Sequence, residues 1–486
     1  MKQTTTSLVT TVVVLVVAAA IGGAALWVTR DTENKAQQKE KSAKLFDGFD
    51  KAKARKIRLQ RDGKLVATLT RADASAPWKV AEPIAADADT TTVDTMLNAI
   101  GDFKQKNDLG EADPKQYGLD HPNTVVTVTM DDGKEQTLEI GETNPFDSSI
   151  YARKAGEKTV RIADGWEKAP FEKQLLDVRD KRVLHLDDSA DVRRIEVAGT
   201  QPAYKLEKEG ASWKLLAPQQ GAADASTADR VANALKSLRA TAIPAERAEG
   251  AALKQYGLSP AKITVQLTVA AQGGKDTYRR TLLLGQPAPQ KGSVAVKTYA
   301  RRDDSPTVFE IDQQILKDLQ KGLFDLQDKA LVHANREDVK KIVFEQPGSP
   351  RIVVERKREQ PKDGGFADET FAVVEPKQGP AKKWKLSSAL YTITGLRASA
   401  FAAKPDASAF NQARTISLLG DGDKVLASVR IGTETKDGKR RYASSDTLGQ
   451  LAEIEKSTAD DLPKTLDDVL EPPPAPDAGP SSQAAK

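Results

Sequence analysis

Histidine is the residue best suited to bind a metal ion or move a proton near neutral pH, and the chain has three, His121, His185 and His333. No two of them lie one helical turn apart, the spacing that would place a pair of zinc ligands on one helix face. They read as surface or turn residues. The acidic pairs Asp131-Asp132, Asp187-Asp188 and Asp460-Asp461 could hold a cation or do acid/base work. The first falls in a hairpin turn and the other two flank element ends, so solvated turns account for them. The absence of cysteine excludes disulfides, thiolate metal sites and a cysteine nucleophile, and fits an oxidising compartment. No Gly-x-Ser-x-Gly elbow, phosphate-cradling loop or dinucleotide-binding glycine pattern occurs, so no residue is assigned a catalytic, cofactor-binding or metal role. Trp78, Trp213 and Trp384 could stack on sugar rings, but each stands beside a lysine at one repeat position, and packing in a core or across strands is the simpler role. The run Lys439-Arg440-Arg441 could meet an acidic partner or lipid headgroups, although a hairpin edge blunted by charge is more ordinary.

The elements that must position these residues come in repeated units. Trp78-Lys79-Val80 with Pro83 returns as Trp213-Lys214-Leu215 with Pro218, at an offset of 135 residues. Asp89, Thr91, Thr92, Asp94, Asn98 and Ala99 return in the same register as Asp224, Ser226, Thr227, Asp229, Asn233 and Ala234. Lys115-Gln116-Tyr117-Gly118-Leu119 with Pro122 is matched by Lys254-Gln255-Tyr256-Gly257-Leu258 with Pro260, and each tyrosine-glycine step reads as a helix end with a left-handed glycine. Alternating strands from Val125 and Ile263 follow, with turns at Asp131–Lys134 and Gln272–Lys275. The returning strands end at Ile140-Gly141 and Leu284-Gly285, and further strands carry Tyr151-Ala152-Arg153 and Tyr299-Ala300-Arg301. The copies close on Asp177, Asp180 and Lys181 and on Asp325, Asp328 and Lys329.

A third copy is fainter. Asp338–Ile342 echoes Asp191–Ile195, Trp384-Lys385-Leu386 echoes the tryptophan motif, and Ile431-Gly432 precedes Tyr442-Ala443, while the Tyr-Gly-Leu loop is missing and Pro361–Gly365 reads as an exposed insertion. One unit is therefore a strand, a hairpin, a helix started at Asp89 with Val93, Met96, Leu97 and Ile100 on its buried face, a loop, a three-stranded meander and a short helix. The expected class is α+β, with modules at 44–182, 183–330 and 331–470 and a Pro/Ala-rich disordered tail at 471–486.

A chain of 486 residues with 39% hydrophobic and 29% charged residues is long enough for about three such cores. Lys+Arg (73) and Asp+Glu (69) are nearly balanced and interleaved, which argues against nucleic acid as a partner. Leu8–Val28 carries no charge, and at 1.5 Å per residue it would span about 31 Å, the thickness of a bilayer core. Residues 1–30 are thus expected to be a single-pass anchor with Trp27 at the interface. The rival reading is a cleaved signal peptide ending near Ala18–Ala20, against which the apolar stretch is too long. Arg30, Lys35, Lys39, Lys41 and Lys44 favour a cytoplasmic body by positive-inside counting, whereas so short an N-terminal tail commonly stays inside and leaves the body exported. The expectation is an exported, periplasmic body.

In their order, the Trp-Lys hairpin, the Asp-x-Thr/Ser helix start, the Tyr-Gly-Leu loop and the Ile-Gly strand end behind an apolar N-terminus resemble the bacterial group termed domain of unknown function (DUF) 4340. The resemblance runs from Leu45 to about Leu470 and is sharpest in the first two copies. It implies an extracytoplasmic, membrane-tethered component associated with ABC-type transport of the gliding-motility kind, and it brings no catalytic residue. Three expectations follow: a non-enzymatic accessory or scaffold subunit of an envelope or transport complex, a periplasmic ligand-binding protein for a glycan, and a hydrolase with an unrecognised site.

Overall fold

The computed structural model describes residues 44–186, 189–271, 276–289, 296–359, 368–402 and 407–472. The segments expected to form the anchor (8–28), the hairpin turn at 272–275 and the insertion at 361–365, together with Asp187-Asp188 and nearly all of the expected C-terminal tail, lie outside the described residues. Among the described residues no helix is long and apolar enough to cross a membrane.

The first sheet holds β1 (Ala54–Arg61), β2 (Lys64–Thr70), β3 (Lys79–Glu82), β4 (Ala86–Asp87), β5 (Gln105–Glu111), β6 (Thr124–Met130), β7 (Glu135–Thr143), β8 (Ile150–Lys154) and β9 (Thr159–Ala163). Their spatial order is β4-β3-β2-β1-β6-β7-β8-β9-β5, all antiparallel. Helix α1 (Thr90–Asp102) connects the hairpin side to the far edge, and a short α2 (Leu175–Val178) closes the unit. The alternation of β6, with Thr124, Val126, Val128 and Met130 buried, turns one face towards α1, whose buried residues are Val93, Met96, Leu97 and Ile100.

The second sheet repeats the order with β10 (Val192–Ala198), β11 (Tyr204–Glu209), β12 (Ser212–Ala217), β13 (Gly221–Ala222), β14 (Ala240–Ala245), β15 (Ile263–Ala270), β16 (Thr277–Pro287), β17 (Lys297–Arg302) and β18 (Val308–Asp312). Its helices are α3 (Ala225–Lys236), α4 (Gln314–Leu319) and α5 (Leu323–Leu326). The third sheet does so with β19 (Lys341–Glu345), β20 (Ile352–Glu359), β21 (Asp368–Glu375), β22 (Gly379–Pro380), β23 (Ala400–Phe401), β24 (Arg414–Leu419), β25 (Val425–Glu434), β26 (Arg440–Ser445) and β27 (Ala452–Glu455). It carries α6 (Lys383–Thr394), α7 (Lys456–Asp461) and α8 (Leu466–Val469).

The protein is thus α+β and mostly β, with three nine-stranded antiparallel sheets. Each meander has four strands rather than the expected three. The extra strand, β9 in the first sheet, is paired on its outer side by a strand that follows the helix, such as β5, whose largely exposed run QKNDLGE shows no alternation. The described chain packs as two compact units. One comprises the described residues to Val183 with Arg239–Arg247 and Thr307–Ile311; the other comprises Leu184–Leu238, Ala248–Pro306 and the described residues from Asp312.

Candidate functional site

Trp78 and Trp213 are core residues, each 3% exposed, as the packing role requires. The indole nitrogen of Trp213 donates to Asp229 at 2.8 Å, and the Arg71 guanidinium lies 4.8 Å over the Trp78 ring. Neither can stack on a ligand. Trp384 does not occupy the equivalent place. It lies in the first turn of α6 and is 72% exposed. The hairpin residue of the third sheet is Phe371 on β21, 6% exposed and five residues before Pro376, as Trp78 and Trp213 stand five before Pro83 and Pro218. The residues around Trp384 matched the motif in letters and not in register.

The Tyr-Gly-Leu loops are structural joints. The 3-10 turns Pro114–Tyr117 and Gly250–Tyr256 end on Gly118 and Gly257, at φ +66° and +65°, where an L side chain is disfavoured. Tyr117 meets Tyr151 edge-on at 4.7 Å, and Tyr256 meets Tyr299 at 4.9 Å. The Ile-Gly strand ends exist to receive these turns. A Cβ on Gly141 or Gly285 would sit 2.2 or 2.1 Å from the carbonyl oxygen of Tyr117 or Tyr256. The third sheet keeps this joint without its tyrosine, since a Cβ on Gly432 would lie 2.3 Å from the Ala409 oxygen.

The helix starts form a second joint. Asp89 and Asp224 cap α1 and α3 by accepting from the amides of Thr92 and Thr227, both at 2.7 Å. The backbone of each cap residue is tied to the closing helix, through Asp89 N to Val178 O, Asp224 N to Leu326 O and Lys382 N to Val469 O. Asp224 is 4% exposed and also receives Lys329 at 3.3 Å and Arg397. Burial alone would raise the pKa of its carboxyl; the Thr227 amide and hydroxyl and the two cations outweigh it and hold the group below the ordinary carboxylate range. In the first unit Arg179, 8% exposed, makes a two-pronged pair with Glu246 at 2.6 and 2.9 Å. No sequence pattern marked that pair, because its partners come from different copies.

The remaining candidates are ordinary in their places. His121 is exposed beside Asp120, His333 pairs with Asp328 at 2.5 Å, and His185 sits at φ +49°. Asp131 and Asp132 occupy the β6–β7 turn, and Asp460 on α7 pairs with Arg441 and Lys464 at 3.2 and 3.0 Å. Among the described residues no group of three or more His, Asp or Glu could hold a metal ion. The run Lys439-Arg440-Arg441 is not a blunted edge: Arg440 and Arg441 lie on β26, an interior strand between β25 and β27, and Arg440 pairs with Glu453 at 2.9 Å.

Among the described residues the four most exposed large hydrophobic side chains are aromatic. Trp384 and Tyr391 are 72% and 71% exposed and stand two turns apart on α6, with exposed Ser388 between them. Lys385 lies 5.9 Å over the Trp384 ring. In the first unit Phe146 is 96% and Trp166 67% exposed. The second unit also has a cleft of about 230 Å³ whose lining includes Gln219, Gln220, Gln327, Asp328, Thr447 and Gln450.

Three nine-stranded sheets built on one pattern, with glycine and capping joints at equivalent positions, define a tandem-repeat protein of antiparallel α+β units. The family model described as "Domain of unknown function (DUF4340)" matches residues 78–258 and 242–414, and the chain belongs to that family. No curated protein and no solved structure matches it.

Proposed function

We propose that the chain is a non-enzymatic, membrane-anchored accessory or scaffold subunit of an envelope or ABC-type transport complex. Residues 8–28 act as its single-pass anchor in the bacterial inner membrane, with the body in the periplasm. The observation that carries this reading is the solvent face of α6. Trp384 and Tyr391 stand at the positions held by Thr91 and Asn98 on α1 and by Ser226 and Asn233 on α3, all exposed. A fold that builds the same helix twice with small polar residues there has no need of two large aromatics. Exposed aromatic side chains at helical spacing are what a partner surface uses as anchors. The partner is a membrane component of the transport complex. Mild in-cell crosslinking of the full-length tagged chain, detergent extraction and mass spectrometry test it. An ABC permease or its associates should be recovered; recovery of the chain alone would contradict the reading.

The amide-lined cleft in the second unit favours a second reading, binding of a small polar ligand such as a glycan. The buried Trp78 and Trp213 take no part in it. At about 230 Å³ the cleft is below the usual range of about 300–1,000 Å³ for ligand sites. Glycan screening of the chain and of Gln327→Ala decides: binding lost in the variant supports the second reading, and no binding by either removes it.

A further inference from the structure

Two loops of the first unit that carry the exposed Phe146 and Trp166 touch each other. Phe146 tips the β7–β8 loop, its amide bonded to the Asn144 side chain at 3.0 Å. Trp166 opens the 3-10 turn Gly165–Phe171, and Gly165 is seated so closely on that loop that a Cβ would lie 2.1 Å from the Ser148 oxygen. Lys168 donates to Thr143, at the start of the first loop, at 3.2 Å, and Lys106 pairs with Asp164, two residues before Trp166, at 2.6 Å, while exposed Asp147 follows Phe146. The described chain enters the body beside them. Lys44 bridges to Lys104, whose amide donates to the carboxylate of Glu167, the residue after Trp166.

We propose that Phe146 and Trp166 form a membrane-contact site that seats the first unit on the headgroup boundary of the bilayer holding residues 8–28. This rests on the membrane-anchored reading above. Only residues 29–43 separate that segment from Lys44, and 15 residues cannot reach beyond about 50 Å. The bilayer is therefore the surface this corner meets most often. Tryptophan and phenylalanine are side chains that the interface accepts, with the ring below the headgroups and nearby lysine ammonium groups among them. Lys44, Lys106 and Lys168 are balanced locally by Asp102, Asp164 and Glu172, so the contact is carried by the aromatics and varies little with salt.

Because the chain has no cysteine, single labels can be placed by Phe146→Cys, Trp166→Cys and, as reference, Tyr391→Cys. Each full-length variant, carrying a bimane group, is reconstituted into phosphatidylcholine/phosphatidylglycerol vesicles containing a lipid with a shallow spin label. Quenching at 146 and 166 should exceed that at 391 by about twofold or more and persist at high salt. Equal quenching at all three positions, in protein that stays with the vesicles through alkaline carbonate, would overturn the contact site and leave the anchor standing. Shielding of 146 and 166 from aqueous iodide without lipid quenching would overturn it in favour of a protein contact. Release of the protein by carbonate would overturn site and anchor together.

Discussion

Helices α3 and α6 occupy the same place in the same strand pattern, and they bury equivalent residues. Ala228, Val231, Ala232 and Leu235 face the second sheet; Leu386, Ala389, Leu390 and Ile393 face the third. Counted from the cap residue, these four apolar positions coincide, and Val93, Met96, Leu97 and Ile100 on α1 follow the same spacing. The differences lie on the outside. Asp224 caps α3 with its side chain, whereas Lys382 makes no side-chain cap and sends its ammonium group to the Asp467 carbonyl at 2.5 Å. Ser226 and Asn233 are replaced by Trp384 and Tyr391. The third helix keeps the buried face and differs at its cap and at two exposed positions, where the other two helices carry small polar residues.

Substitutions at the hairpin should show the largest effects. Trp213→Ala and Phe371→Ala each remove a buried aromatic ring and should cost about 3–5 kcal/mol, whereas Trp384→Ala should change stability by less than about 0.5 kcal/mol. Urea unfolding monitored by circular dichroism separates these outcomes, and a large loss on Trp384→Ala would break the assignment of Phe371 as the hairpin residue.

The cap comes next. Asp224→Ala removes a buried cap and leaves Lys329 and Arg397 without their carboxylate, at a cost of about 2 kcal/mol in the second unit. Because the carboxyl is held below its ordinary range in the folded state, its contribution is complete above about pH 4 and fades as the pH falls through the folded value. The stability difference between wild type and Asp224→Asn should therefore shrink under acid, in unfolding measured from pH 7 to pH 3; a difference independent of pH would contradict the ion-pair account.

Restoring the cap the third helix lacks should give a smaller, opposite change. Lys382→Asp should stabilise the third sheet's unfolding transition by about 1 kcal/mol, less what the Asp467 contact contributes. A loss would show that the lysine does more for α6 than the cap would.

The three repeats differ most where one sheet packs against its own closing helices. Each unit satisfies carbonyl groups near its closing helices with a different side chain from a different strand. Arg61 on β1 donates to Lys173 O at 3.3 Å, and Tyr204 on β11 to Leu319 O at 3.0 Å. Arg414 on β24 donates to Ala459 O, Leu462 O and Pro463 O at 2.7, 3.2 and 3.0 Å. Burial pushes the Tyr204 phenol above its ordinary value and the Arg414 guanidinium below its own, the latter also opposed by Arg441. A repeat comparison finds residues that recur, and these do not. The same holds for Arg179 and Glu246. The helix register at Asp89, the glycine joints at Gly118 and Gly257 and the burial of Trp78 and Trp213 were legible, because capping, positive φ and alternation are local rules. The edge strands β5, β14 and β23 were not, because an exposed strand needs no apolar alternation. Trp384 was misread because a Trp-Lys pair recurs without the proline that fixes its register.

The outer face of α6 is the surface that must meet the partner. A photo-crosslinking residue placed at position 384, and for comparison at position 226, in the full-length chain in its own cells tests this most directly. Crosslinks from 384 to a membrane transport component, absent from 226 and lost when Tyr391 is changed to alanine, are the predicted result. Equal labelling from both positions, or none from 384, would contradict the docking role of the third sheet and the accessory-subunit function built on it.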